Sequence, residues 1–371
     1  MTKGAVTLFL CGDVMTGRGV DQILPHPGDP RLFEPYAKSA LDYLRLAEEA
    51  SGPIGRPVDF AYIWGDALAE LERERPDARI INLETAVTSS GDAWPGKGIN
   101  YRMHPANAPC LAAAKIDCCV LANNHVLDWG YRGLNETLDT LHRSGIRSAG
   151  AGRDEAEAAA PAEIALAAGG RVLAFAFAME SAGVPPGWAA GRGSAGVNFL
   201  RGLSPQAADA VAARAAAAKR PGDSVVVSIH WGGNWGYEIS GAEREFAHRL
   251  VDAGSVDVVH GHSSHHPKAI EIYRDKPIFY GCGDFLNDYE GISGHESFRP
   301  ELALMYFPTL DVATGKLVQL ALVSTRIGRF RVNLATDEEA AWLAATLDRE
   351  SRRVGTRVEH SAQNRLIVSR G

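Results

Sequence analysis

Five times along this chain an apolar, strand-like run ends, and the next one to four residues are groups able to hold a metal ion. The endings are Asp13; Asn82 and Glu84; Asn123, Asn124 and His125; His230; and His262 and His265. In α/β sheets functional groups collect at the carboxyl ends of strands. One such ending is unremarkable, but five describe one site, and the chain must fold so that these ends meet. The densest stretch is Val258 to Asn287. It carries His260, His262, His265 and His266, a third of the 12 histidines, and continues into a Gly-Cys-Gly-Asp turn. Neutral imidazole is the commonest metal ligand, and short histidine-rich tracts signal metal binding. Carboxylate, amide and imidazole together suit a divalent cation of intermediate to hard character. Calcium, magnesium or manganese is therefore expected ahead of zinc, and no organic cofactor.

Strands alternate with helices through most of the chain. Strands are expected at Val6–Cys11, Ala78–Glu84, Ile116–Leu121, Asp223–Ile229 and Val256–Val259, with paired strands at Ala156–Ala168 and Arg171–Phe177. Helical spacing covers Tyr36–Glu49, Phe60–Arg75, Tyr131–Ser144, Pro205–Lys219 and Ala242–Ala253; strands dominate from Leu302, with a late helix at Glu338–Arg349. This alternation predicts a layered α/β fold. With no repeat and no low-complexity linker, one domain over residues 1–371 is the simpler reading. Its core spans about 5–335, and residues 336–371 add a helix and strands.

Composition narrows the function. Hydrophobic content of 46% and charged content of 22% belong to an ordinary globular chain. A net charge of −7 argues against nucleic-acid binding, which needs a basic face. No window is long and apolar enough for a membrane span, and the N-terminal run from Ala5 to Cys11 is too short for a signal segment. These features predict an unanchored cytoplasmic protein; they leave its oligomeric state open. The five cysteines, Cys11, Cys110, Cys118, Cys119 and Cys282, have no zinc spacing and read as small core residues.

The ordered set Gly12-Asp13, Asn82-Leu-Glu84, Asn123-Asn-His125 with Asp128 and Gly130, His230-Trp-Gly, Gly261-His262 with His265, and Gly283-Asp-Phe285 resembles the CapA family of poly-γ-glutamate capsule-type proteins. The resemblance runs from about Val6 to Phe307. It implies a calcineurin-like metallophosphoesterase fold, a four-layer α-β-β-α sandwich with the metal site at one end of two sheets. It implies Asp13, Glu84, Asn124, His230, His262 and His265 as ligands. There are departures. Binuclear members open with Asp-x-His, whereas Val14 and Met15 follow Asp13; Glu84 stands where an aspartate is usual. Both favour one metal over the usual pair.

A stand-alone chain of this kind resembles the epimerases that invert the Cα of the C-terminal residue, tryptophan in the known type, of a ribosomal lasso-peptide precursor. Such chemistry needs an acid/base group on each face of the carbon, and His-Asp pairs serve well. The candidates are His125 with Asp128 or Asp13, and His295 with Asp13 or Asp284. Asn82, Arg18, Trp129, Trp231 and Trp235 are the candidate substrate-binding residues; the tryptophans border the motifs and would wall an apolar pocket. Two other functions remain. One is hydrolysis of a phosphoester or a γ-glutamyl or peptide bond; the other is a non-catalytic role in a polymer-synthesis complex.

Overall fold

The computed structural model describes residues 4–361 and 363–371. Its centre is the strand Ala5–Val14. Leu8, Phe9, Leu10 and Cys11 are all sealed from solvent, as the unbroken apolar run of a strand covered on both faces requires. This strand pairs in parallel with Ala78–Leu83, which pairs in parallel with Cys118–Val120, and that in turn with Arg147–Ala149. On its other side it runs antiparallel to Leu302–Asp311, and the sheet continues through Leu317–Ile327, Arg365–Arg370 and Thr356–His360. The short strand Asp284–Leu286 joins its C-terminal end in parallel, with Asp284 opposite Asp13.

A second sheet has four parallel strands, Arg171–Ala178, Ser224–His230, Val258–His262 and Lys276–Phe279, with the antiparallel strands Ala162–Ala165 and Ile270–Tyr273 at its edges. The two sheets share one core: Leu10, Ile80 and Val120 of the first cluster with Ala174, Val226 and Val258 of the second. Alternate residues of the second sheet, among them Phe175, Val227, Ile229 and Val259, point away from that core. They pack with Ala208, Val211, Phe246 and Leu250 of the helices Pro205–Ala218 and Gly241–Asp252. The chain is thus a mixed α/β protein of several sheets and helices. All five cysteines are buried and free.

Two expected elements differ. The strand expected over Ala156–Ala168 begins as a helix, Glu155–Ala159, because the Asp154 side chain caps it by accepting from the Glu157 N–H at 2.8 Å. Only after Pro161 does a strand, Ala162–Ala165, begin. The helix expected over Phe60–Arg75 breaks at Gly65 (φ 46°) into a short 3-10 turn, Tyr62–Trp64, and the helix Ala67–Glu74. A Cβ at Gly65 would lie 2.2 Å from the Val332 carbonyl, so this close approach requires glycine. Among the described residues no helix is long and apolar enough to cross a membrane.

Candidate metal centre

Register brings the strand ends together. Asp13 lies beside Asn82 in one sheet, and His230 beside His262 in the other. Side chains alternate along a strand, so Ser228 and His230 share the inward face with His260 and His262. Close approach of the turn before Asp284–Leu286 to the central strand depends on Gly12, where a Cβ would sit 1.7 Å from the Gly283 carbonyl oxygen.

Two groups of ligand atoms result, and Asp13 belongs to both: Asp13 with His230 and His262, and Asp13 with His265 and Asp284. In the first, His230 Nδ1 is 2.8 Å from His262 Nδ1, His262 Nδ1 is 3.8 Å from Asp13 Oδ1, and His230 Nε2 is 3.7 Å from Glu84 Oε1. Asn124 Oδ1 is 3.1 Å from His230 Nε2. In the second, His265 Nδ1 is 3.0 Å from Asp284 Oδ1, and Asn287 Nδ2 donates to Asp284 Oδ2 at 2.7 Å. Around both, Asn82 Nδ2 donates to Asp13 Oδ1 at 2.6 Å and the Ser263 N–H to Asp13 Oδ2 at 3.2 Å. Ser263 has φ 103°, a costly backbone for a residue with a side chain, and one that strained functional sites retain.

The charge balance of this cluster is its most telling property. Asp13, Glu84 and Asp284 are 1%, 3% and 2% exposed, yet their ion-pair partners among the described residues are histidines only. Burial, then the nearby Asp284 charge, pushes Asp13 up to about 7; burial and the Asp13 charge push Glu84 well above the usual carboxylate range. Burial also holds His230 and His262 well below the ordinary histidine value, so both are neutral with lone pairs to offer. For His265 burial works against the charged ring, but the Asp284 charge and hydrogen bond outweigh it and raise the pKa. Buried carboxylates without a cation, facing neutral imidazoles, fit a divalent metal ion.

Beside the cluster, His125 Nδ1 lies 2.6 Å from Asp128 Oδ2, and its Nε2 faces Glu84 Oε1 at 4.0 Å. The Asn123 side chain shapes this turn by accepting from the His125 and Val126 N–H groups at 3.1 and 3.0 Å. Burial lowers His125 to about 4. Nδ1–H therefore donates to Asp128, and the Nε2 lone pair is exposed to the site. Lys97, from a Gly/Pro-rich loop, contacts the Asp128 carboxylate and the Asn124 carbonyl oxygen. The Tyr101 ring stacks on His125 at 3.7 Å, and its hydroxyl meets that of Tyr289 at 2.5 Å.

These groups form the floor of a cavity of about 520 Å³ whose mouth is apolar, with Tyr36, Ile99, Ile292 and Trp235 on its walls. Trp235 and Arg18 line it as expected. The Arg18 guanidinium, however, is already engaged by Asp288 at 3.1 Å and Glu34 at 2.8 Å. Asn82 orients Asp13 and is fully buried. Two expected wall residues lie elsewhere. Trp231 follows inward-facing His230, so alternation turns it outward; its Nε1–H donates to the Tyr280 carbonyl at 2.9 Å and it packs in the outer cluster. Trp129 is sealed under the Arg102 guanidinium, with Nε1–H donating to the Tyr101 carbonyl at 3.0 Å. Of the expected pairings, His125 with Asp128 is present. His295 makes neither of its two: it is exposed at the mouth, stacked on Trp235 at 3.7 Å, because Asp284 is taken by His265 and Asp13 by Asn82. Sequence reasoning missed Lys97, Tyr101 and Tyr289, whose loops carry no motif, and Ser228, which alternation with His230 would have shown.

Comparison with known proteins places the chain in a family. The family described as "Bacterial capsule synthesis protein PGA_cap" matches residues 7–289, a span that holds every group of the cluster. A Mycobacterium tuberculosis protein named "Probable polyglutamine synthesis accessory protein" is 51% identical over 364 residues, 98% of this chain and 96% of its own length. "PGA biosynthesis protein CapA" of Bacillus subtilis is 24% identical over 279 residues, covering 75% of this chain and 62% of the relative. "Capsule biosynthesis protein CapA" of Bacillus anthracis is 25% identical over 285 residues, 76% and 60%.

Proposed function

Because the chain belongs to the PGA_cap family of bacterial capsule synthesis proteins, we propose that it is a metal-dependent hydrolase acting on an amide-linked, glutamine-type chain as an accessory to that polymer's synthesis. The observation that carries this reading is the set of three buried carboxylates with no Lys or Arg partner among the described residues, set against neutral imidazoles. Such a cluster costs a protein several kcal/mol per unpaired buried charge. A scaffold has no use for that cost; a cation site does. Asp13, Glu84, Asn124, His230 and His262 would hold one ion, and Asp13, His265 and Asp284 a second. Three imidazoles among the donors favour manganese over magnesium or calcium. When bound, the ion supplies Lewis acidity at the scissile carbonyl. His125 Nε2 is placed to take a proton from the attacking water and pass it to the leaving amine, with Asp128 fixing the tautomer. The two sheets with a shared core and helices outside support the four-layer α-β-β-α sandwich of metallophosphoesterases as the finer fold.

Charge selects among polymers. Both cationic side chains of the cavity, Arg18 and Lys97, are committed to carboxylates. Among the described residues no Lys or Arg of the cavity is left over for the repeated carboxylates of a polyglutamate, whereas a neutral glutamine chain needs no such partner. The name of the mycobacterial relative agrees.

One observation favours a second reading, epimerisation at the C-terminal residue of a ribosomal precursor peptide. Two His-Asp pairs, His125–Asp128 and His265–Asp284, have pKa values pushed in opposite directions, the pattern of a base and an acid. A single experiment separates the readings. The chelated protein is reloaded with manganese and incubated in D₂O with α-linked glutamine oligomers, α-linked glutamate oligomers and a tryptophan-ended peptide. Shortened glutamine oligomers are expected. Deuterium in an uncleaved peptide would establish the epimerase instead, and faster cleavage of the glutamate oligomer would overturn the charge argument.

A further inference from the structure

Ser228 and His260 stand behind His262 in a hydrogen-bond chain whose direction is forced. The Cys11 carbonyl can only accept, so the 2.8 Å contact from His260 Nε2 places that ring's proton on Nε2. His260 is fully buried with no carboxylate paired to it among the described residues, so its ring carries no second proton and its Nδ1 is an acceptor, 3.1 Å from Ser228 Oγ, which takes the hydroxyl's single proton. Ser228 Oγ has only lone pairs left for His262 Nε2 at 2.8 Å, so that nitrogen must carry a proton. What remains of His262 is the Nδ1 lone pair, which accepts from His230 Nδ1–H at 2.8 Å in the metal-free chain and lies 3.8 Å from Asp13 Oδ1. Ser228, His260 and His262 are all 0% exposed, so no solvent competes for these bonds. The geometry follows from register: Ser228 lies opposite His260 and His230 opposite His262 on neighbouring parallel strands.

We propose that Ser228 and His260 are positioning residues that lock His262 in the Nε2–H tautomer and so hold its Nδ1 lone pair on the cation site. The proposal rests on the cation reading above for its purpose, but the tautomer can be read without any cation. Partners of this kind behind a metal-binding histidine are worth about 10- to 100-fold in metal affinity.

The test uses the full chain labelled with ¹⁵N-histidine, metal-free, with His262 assigned by its disappearance in His262→Asn. Long-range ¹H–¹⁵N correlation should show the His262 proton on Nε2 in the wild type. In Ser228→Ala it should move to Nδ1, with Mn(II) binding in equilibrium dialysis weakened about 10- to 100-fold, and Ser228→Thr should restore both. A wild-type His262 protonated on Nδ1 overturns the proposal, even if Ser228→Ala does not fold. So does a Ser228→Ala protein that keeps Nε2–H and its wild-type affinity. A wild type that binds no Mn(II) refutes the cation reading separately, while the tautomer spectrum still decides the relay.

Discussion

Asp13→Asn should stabilise the metal-free protein while abolishing metal binding. Asp13 is 1% exposed and its pKa is pushed up to about 7 from 3.8. At pH 8 the folded chain must carry that carboxylate ionised, a penalty of about 4 kcal/mol at about 1.4 kcal/mol per unit. Asparagine removes it. The amide keeps an acceptor for the Asn82 donor but puts its own NH₂ against the Ser263 N–H, a mismatch of about 1–3 kcal/mol. The net gain is about 2 kcal/mol at pH 8. At pH 5 the folded carboxyl is protonated, the penalty shrinks to about 1.6 kcal/mol, and the gain vanishes. Urea unfolding of both proteins in chelator, at the two pH values, measures the difference. A variant that is less stable than the wild type by the same amount at both pH values would refute the reasoning.

The remaining perturbations probe the same cluster. Metal-free stability should peak near neutrality. His125 and His260, held at about 4, are buried neutral, and each gives stability on the order of 3 kcal/mol that grows as pH rises from about 4 to 6.5. Asp13, raised from 3.8 to about 7, works against this rise across about pH 4 to 7, and His265, raised above 6.5, loses its contribution beyond that, so excess Mn(II) should remove the falling limb in melts across pH 4–9. Asp128→Asn leaves His125 Nδ1 without its carboxylate; cleavage should drop about 100-fold or more with Mn(II) affinity unchanged, as initial rates and dialysis would show. Gly12→Ala drives a methyl into the Gly283 carbonyl and should unfold the chain at ordinary temperature or cost it more than about 4 kcal/mol by denaturant titration.

The strand ends were legible because each motif couples an apolar run to a polar stop, and a parallel sheet delivers such stops to one edge. Asp13, Glu84, Asn124, His230, His262 and His265 accordingly converge. What sequence could not supply was partnership across the sheets. Asp284 follows a turn that could face either His265 or His295, and only its parallel pairing beside Asp13 settles the choice. Trp231 was assigned to the pocket by its neighbour in sequence, yet adjacent residues of a strand face opposite ways. Lys97 sits in a loop without periodicity, so no pattern marked it. The break at Gly65 and the Asp154 cap are local effects that hydrophobic pattern alone outvotes.

The most direct test of the cation site is anomalous scattering from crystals grown with Mn(II), recorded near the manganese edge. One peak is predicted between Asp13, His230 and His262, and a second between Asp13, His265 and Asp284, both lost in Asp13→Asn. No peak within reach of Asp13 in crystals saturated with the ion would contradict the account.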